Sequence, residues 1–163
     1  MRNLTPALAL LACLSAPAAA VEFELTQDPE AVLEHQRMPG NARAQAERRG
    51  VIRSVPHLFV YHPDRSPAFH MQGLRRGFER QLSMMLDDFR VQRSMVPLEV
   101  LLSRAKNSDG ERVALEDLPV RRVAIVIYRR EDCPECDAVE QALDDFLAGR
   151  DDLDPVRIRI TLR

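Results

Sequence analysis

The sequence predicts an α/β domain: a mixed sheet with two packed helices. Three observations predict it. Short apolar or alternating runs bounded by turn residues read as strands, two stretches repeat apolar residues every three or four positions, and the two kinds are interleaved along the chain. The chain has 163 residues, 45% of them hydrophobic and 29% charged. That is the length of one ordinary domain and apolar enough for a packed core, which excludes a large multidomain enzyme.

The first 20 residues, MRNLTPALALLACLSAPAAA, place one positive charge (Arg2) before an apolar stretch, Ala7 to Leu14, and small residues ending at Ala20. This is the three-part pattern of a secretory signal peptide, with cleavage expected after Ala20. The apolar stretch falls short of the roughly 20 residues a bilayer-spanning helix needs. The expected location is therefore the periplasm or the exterior, with no membrane span. Without Arg2 the mature chain carries 22 basic and 25 acidic residues, so no excess positive charge exists to hold nucleic acid.

Residues 21–55 read as an N-terminal arm or surface helix, and 56–163 as a single α/β domain. Val21 to Leu25 alternates as a short strand would. Asp28-Pro29-Glu30 starts a helix, with Pro at its first position, and Ala42 to Arg49 is a charged, solvated helix. His57 to Tyr61 is an apolar strand ending in a turn at Pro63-Asp64. Met71, Leu74, Phe78, Leu82, Met85 and Phe89 recur at steps of three and four, predicting an amphipathic helix from about Ala68 to Gln92. Pro97 to Leu102 reads as a strand, Asn107 to Gly110 as a turn, and Arg112 to Leu115 as a short returning strand. Val123 to Tyr128 is a continuous apolar run that suits a central strand. From Asp137 the pattern is helical, with Val139, Ala142, Leu143, Phe146 and Leu147 on one side and Gly149 as the stop. Val156 to Leu162 alternates strictly, as a strand with one buried face does.

Cys13 leaves with the signal peptide, so the mature chain keeps two cysteines, Cys133 and Cys136, separated by Pro134 and Glu135. An exported pair this close meets an oxidising environment and can form a disulfide. The pattern puts Cys133 at the N-cap of the helix and Pro134 at its first position. Free N–H groups and the helix dipole then favour the Cys133 thiolate, the nucleophile of disulfide exchange. Cys136, one turn later, is placed to resolve a mixed disulfide. Arg129 and Arg130 add positive potential, opposed by Glu131, Asp132, Glu135 and Asp137.

The stretch Val123 to Phe146, with Tyr128-Arg-Arg-Glu-Asp-Cys-Pro-Glu-Cys136, resembles the strand–Cys-x-x-Cys–helix element of thioredoxin-like and glutaredoxin-like proteins. The resemblance covers about a quarter of the mature chain. It implies that Cys133 attacks, Cys136 resolves, and the partners are protein thiols and disulfides. In that family a cis-proline loop and a hairpin follow the redox helix and bind the substrate chain. Here only 27 residues follow Cys136, so the rest of such a fold comes from upstream, in a divergent or permuted arrangement. Leu118-Pro119 is the candidate for a proline near the site.

Other readings stay open. The pair can be a structural disulfide in a non-enzymatic periplasmic interaction or assembly protein. Closing so short a loop removes unfolded-state entropy worth only about 2 kcal/mol, a poor reason for the placement. Cys133 and Cys136 can also supply two thiolates to Cu(I) or half of a tetrahedral Zn(II) site, and the element order also fits a ferredoxin-like βαββαβ sandwich, a fold used by small copper carriers. His57 and His62 flank one strand, an odd number of residues apart and so on opposite faces. His70 opens the next helix and His35 has no visible partner, so these read as surface or turn histidines. No cofactor is expected, since no phosphate-binding glycine loop, Ser-His-Asp set or paired catalytic carboxylates stand out.

Overall fold

The computed structural model describes residues 21–27, 45, 52 and 54–163. The expected signal peptide and the helices expected near Asp28 and Ala42 fall outside the described residues, apart from residue 45. His35 does too.

Six strands form one mixed sheet, ordered β3-β2-β5-β6-β1-β4. They are β1 Val21–Gln27, β2 His57–Tyr61, β3 Pro67–Gln72, β4 Ala105–Lys106, β5 Ala124–Arg129 and β6 Val156–Thr161. Strands β5, β6 and β1 are parallel neighbours. Antiparallel pairing joins β2 to both β3 and β5, and β4 to β1. The helices are α1 Phe78–Asp87, α2 Leu98–Leu102 and α3 Pro134–Ala148. Helix α3 is the crossover between β5 and β6, as adjacent parallel strands require.

The sheet is covered on both faces, which explains why β2 is buried along its whole length and β5 up to Tyr128. On one face Leu58, Val60, Met71, Ile125 and Ile127 pack against Phe78 and Leu82 of α1 and Val139 and Leu143 of α3. On the other, Phe59, Tyr61, Val126, Ile158 and Ile160 pack against Leu98, Leu101 and Leu102 of α2 and against Leu118. The alternation in β6 buries Val156, Ile158 and Ile160 on the α2 side. It turns Arg157 and Arg159 toward α3, where Arg157 meets Asp144 at 2.5 Å and Arg159 meets Glu140 at 2.8 Å. Glu22 and Glu24 of β1 reach Arg159 at 3.0 and 2.9 Å, so ion pairs bind β1, β6 and α3 together.

Four expectations are corrected. The helix expected over Ala68 to Gln92 is instead strand β3 followed by the shorter α1. Gly73 and Gly77 separate them at φ of 67° and 76°, backbone that a continuous helix cannot contain. The strand expected at Pro97 to Leu102 is helix α2, which starts at Leu98 directly after the extended Pro97. The returning strand expected at Arg112 to Leu115 is irregular backbone leading into a 3-10 turn, Leu115–Asp117. The sheet partner in this region is β4, paired with the end of β1. His57 and His62 are buried rather than at the surface, at 9% and 1% exposure, and His70 lies on β3 and opens no helix.

Candidate functional site

The run from Ala124 to Tyr128 is fully buried and brings the chain to one end of the sheet. Asp132 then adopts φ of 53°, a left-handed turn that Asp tolerates better than most side chains. That turn sets Cys133 at the N-cap of α3 with Pro134 at its start, as the sequence predicted. Cys133 and Cys136 are joined by a disulfide, with Cα atoms 5.2 Å apart. Their environments differ. Cys136 is fully buried beneath the first turn, whereas Cys133 is half-buried at its mouth. The Cys136 backbone N–H donates to Cys133 Sγ at 3.2 Å. A thiolate on Cys133 therefore has a donor in place, and the helix dipole adds to it.

The contribution of Arg129 is settled by its partners. Its guanidinium donates to Glu140 at 2.6 Å and Asp137 at 3.1 Å. Its charge is neutralised by α3 itself, so it fastens the first two turns of that helix to β5 and does not activate the sulfur. Glu131, Asp132 and Glu135 are exposed around the turn. Arg129 thus directs no cation at a Cys133 thiolate, which the helix terminus stabilises.

Antiparallel pairing carries the start of β2 and the end of β3 to this same end of the sheet. His57 lies opposite Tyr128 of β5 and opposite Gln72 of β3. The Gly73 N–H donates to the Pro56 carbonyl at 3.0 Å. A Cβ on Gly73 would lie 2.9 Å from Glu135 Oε1, so the backbone after β3 packs directly on the Cys-Pro-Glu-Cys turn. The proline on this side is Pro56, at the head of β2, and the Val55–Pro56 bond is cis. Pro119 does not serve the site. Its carbonyl accepts from Arg65 in the β2–β3 turn, at the opposite end of the sheet.

A second constellation, missed by sequence reasoning, lies on the α2 side of the hairpin. His57 Nε2 faces Ser54 Oγ at 2.9 Å, and His57 Nδ1 faces His70 Nε2 at 2.9 Å. Gln72 Nε2 donates to Ser54 Oγ at 3.1 Å. Phe59 stacks on both imidazoles, 5.8 Å from His57 and 4.4 Å from His70 between ring centroids. Burial, with His70 beside it, lowers the His57 pKa from 6.5 to about 4. His70 is also lowered, by burial and by the charge of Arg75. The signal was present. A hairpin folded at Pro63-Asp64 sets His70 diagonal to His57. His62 is elsewhere, stacked on Phe89 and bonded to the Arg90 carbonyl at 2.8 Å.

Among the described residues no group of three or more His, Cys, Asp or Glu side chains is placed to hold a metal ion. No helix among them is long and apolar enough to cross a membrane. No family model, curated protein or solved structure matches this chain.

Proposed function

We propose that this chain is an exported thiol–disulfide exchange protein acting on protein partners, with a thioredoxin-like unit in circularly permuted order. The observation that carries the reading is the unequal burial of the two bonded cysteines at the start of α3. Cys133 is half-buried at the N-cap and Cys136 is fully buried one turn below it. Attack needs an accessible sulfur whose thiolate is stabilised. Resolution needs a second sulfur held within reach but shielded from competing partners.

The order of elements supports the permutation. The resemblance puts the strand–helix–strand unit first and a proline loop and hairpin after it. Here hairpin β2–β3 and α1 come first in the chain, while β5, α3 and β6 come last. The strands β3-β2-β5-β6 are nevertheless contiguous in space, with α1 and α3 on one face. Pro56 heads the strand antiparallel to β5, where the resemblance places its proline loop. The exchange is balanced in either direction. The Cys133 thiolate attacks a partner disulfide, forming a mixed disulfide and releasing one partner thiolate. The Cys136 thiolate then displaces the second, and two electrons pass from the dithiol to the partner.

The test is equilibration with glutathione buffers and readout of the Cys133–Cys136 couple. A working couple equilibrates above about −300 mV, whereas a purely structural bond lies below that value. Resistance of the bond throughout the glutathione range overturns the reading in favour of a structural disulfide. Stoichiometric Cu(I) or Zn(II) uptake by the reduced chain, protecting both thiols from alkylation, overturns it in favour of a metal carrier.

A further inference from the structure

We propose that Ser54, His57, His70 and Gln72 form a second site, a serine-based acyl-transfer centre for activated esters and thioesters. The inference stands on geometry separate from the sulfurs. An acyl-transfer serine needs a base hydrogen-bonded to its hydroxyl, a third group that orients the base from its other ring nitrogen, and a donor for the developing oxyanion. Ser54 Oγ lies 2.9 Å from His57 Nε2, and the other nitrogen of that ring lies 2.9 Å from His70 Nε2. Gln72 Nε2 donates at 3.1 Å to the same Ser54 oxygen, which puts an amide donor beside the carbon that Ser54 would attack.

The hydrogen bonds form one consistent directed chain. Gln72 donates to Ser54, and in the His57 tautomer protonated at Nδ1, Ser54 donates to His57 Nε2 and His57 Nδ1–H donates to His70 Nε2. Strand pairing builds the arrangement. His57 faces Gln72 and Phe59 faces His70 across the β2–β3 pair, and the Phe59 ring fixes both imidazole planes. Exposure is divided as the chemistry requires. Ser54 and Gln72 are exposed, while His57 is buried behind them.

Ser54 Oγ adds to the acyl carbonyl as its proton passes to His57 Nε2. The alcohol or thiol leaves with that proton, and an acyl-Ser54 ester remains. Water, deprotonated by His57, then attacks the ester and releases the carboxylic acid and free Ser54. The far ring nitrogen of His57 faces the His70 imidazole, with Arg75 beyond it, and not a carboxylate that would strengthen it as a base. His57 accordingly stays neutral and ready to accept at neutral pH, yet is weak. With an imidazole rather than a carboxylate on its far nitrogen, His57 suits substrates with good leaving groups and not amides, which sets the substrate class.

The test uses the full chain with the Cys133–Cys136 bond formed and any remaining thiol alkylated, so that no thiol competes for the acyl group. It is treated with p-nitrophenyl acetate and, separately, with a fluorophosphonate probe, and the adduct is located by peptide mass spectrometry. The expected result is a stoichiometric burst of p-nitrophenolate with acetyl and phosphonyl adducts on Ser54. Ser54→Ala should abolish the burst, and His57→Gln should slow it at least about 100-fold. Adducts elsewhere, no adduct, or an unchanged burst in Ser54→Ala overturns the proposal. Labelling of the unmutated chain decides the matter even if His57→Gln fails to fold. None of these outcomes bears on the exchange reaction, which the glutathione titration reads separately.

Discussion

His57 has both ring nitrogens in hydrogen bonds and a low proton affinity, and these facts set a pH dependence. Its folded-state pKa is about 4 against an ordinary 6.5. Between those values the unfolded chain binds the proton and the folded chain does not. Stability is therefore full above pH 6.5 and falls as pH drops through that window, levelling off below 4. Allowing for partial solvent access, the loss attributable to this residue is about 2 kcal/mol. Urea denaturation at pH 7 and pH 4.5 measures it, and His57→Gln should flatten the difference. An equally steep dependence in that variant would assign the effect to other groups. A second residue-scale expectation concerns Gly73. Its φ of 67° and the 2.9 Å approach of Glu135 Oε1 both oppose a side chain. The carboxylate is the free end of an exposed side chain and can move aside, so the backbone dominates. Gly73→Ala should cost about 1–2 kcal/mol. Adding Glu135→Ala should recover little of it in a double-mutant cycle by denaturant unfolding.

Among the elements, β5, β6 and α3 were legible in the sequence because each obeys one rule without competition. β5 is apolar from Ala124 to Tyr128, β6 alternates strictly, and α3 has Pro134 at its start and Gly149 at its end. The stretch from Ala68 to Phe89 obeys two rules at once. Met71 and Leu74 fit the helical spacing of Phe78 and Leu82, yet Met71 is buried from a strand, and Leu74 is 46% exposed. The two glycines between β3 and α1 carried the information that periodicity hid. Leu98 to Leu102 is five residues long, too short for period to separate strand from helix. The two readings differ in which side chains they bury. A strand places 98, 100 and 102 on one face, whereas the observed helix buries Leu98, Leu101 and Leu102. Leu101→Ala should therefore destabilise by about 2–5 kcal/mol, as deletion of a fully buried leucine does. Val100→Ala, half-buried, should cost about 1 kcal/mol or less. Thermal or urea unfolding of the pair checks this, and the reverse ranking would restore the strand.

At the scale of the whole molecule, three segments distant in sequence meet at one end of the sheet. They are the approach to β2 at Ser54–Pro56, the exit from β3 at Gln72–Gly73, and the Cys133 turn. The cysteine half of this site was readable because the helix start, the proline and both sulfurs are contiguous in sequence. The other half was not, because it depends on strand order. Nothing local in the sequence says that β2 lies antiparallel to β5, and that pairing is what brings Pro56 and His57 beside Tyr128. Pro119 is nearer to Cys133 in sequence than Pro56 is, yet it lies at the far end of the sheet, because β5 runs the length of the molecule between them. The α/β class and the mixed sheet followed from composition and period. The strand order β3-β2-β5-β6-β1-β4 follows only once the strands are seen in place.

The central claim is that Cys133 attacks and Cys136 resolves, and trapping in the periplasm tests it most directly. Cys136→Ser and Cys133→Ser variants are expressed there, quenched with acid, alkylated and separated on non-reducing gels. Cys136→Ser keeps the accessible thiol at the helix N-terminus and removes the one that releases the partner, so it should accumulate mixed disulfides through Cys133. Cys133→Ser leaves only the buried thiol and should accumulate few. Equal trapping by both variants would contradict the assignment of Cys133 as the nucleophile, and trapping by neither would contradict exchange with protein partners.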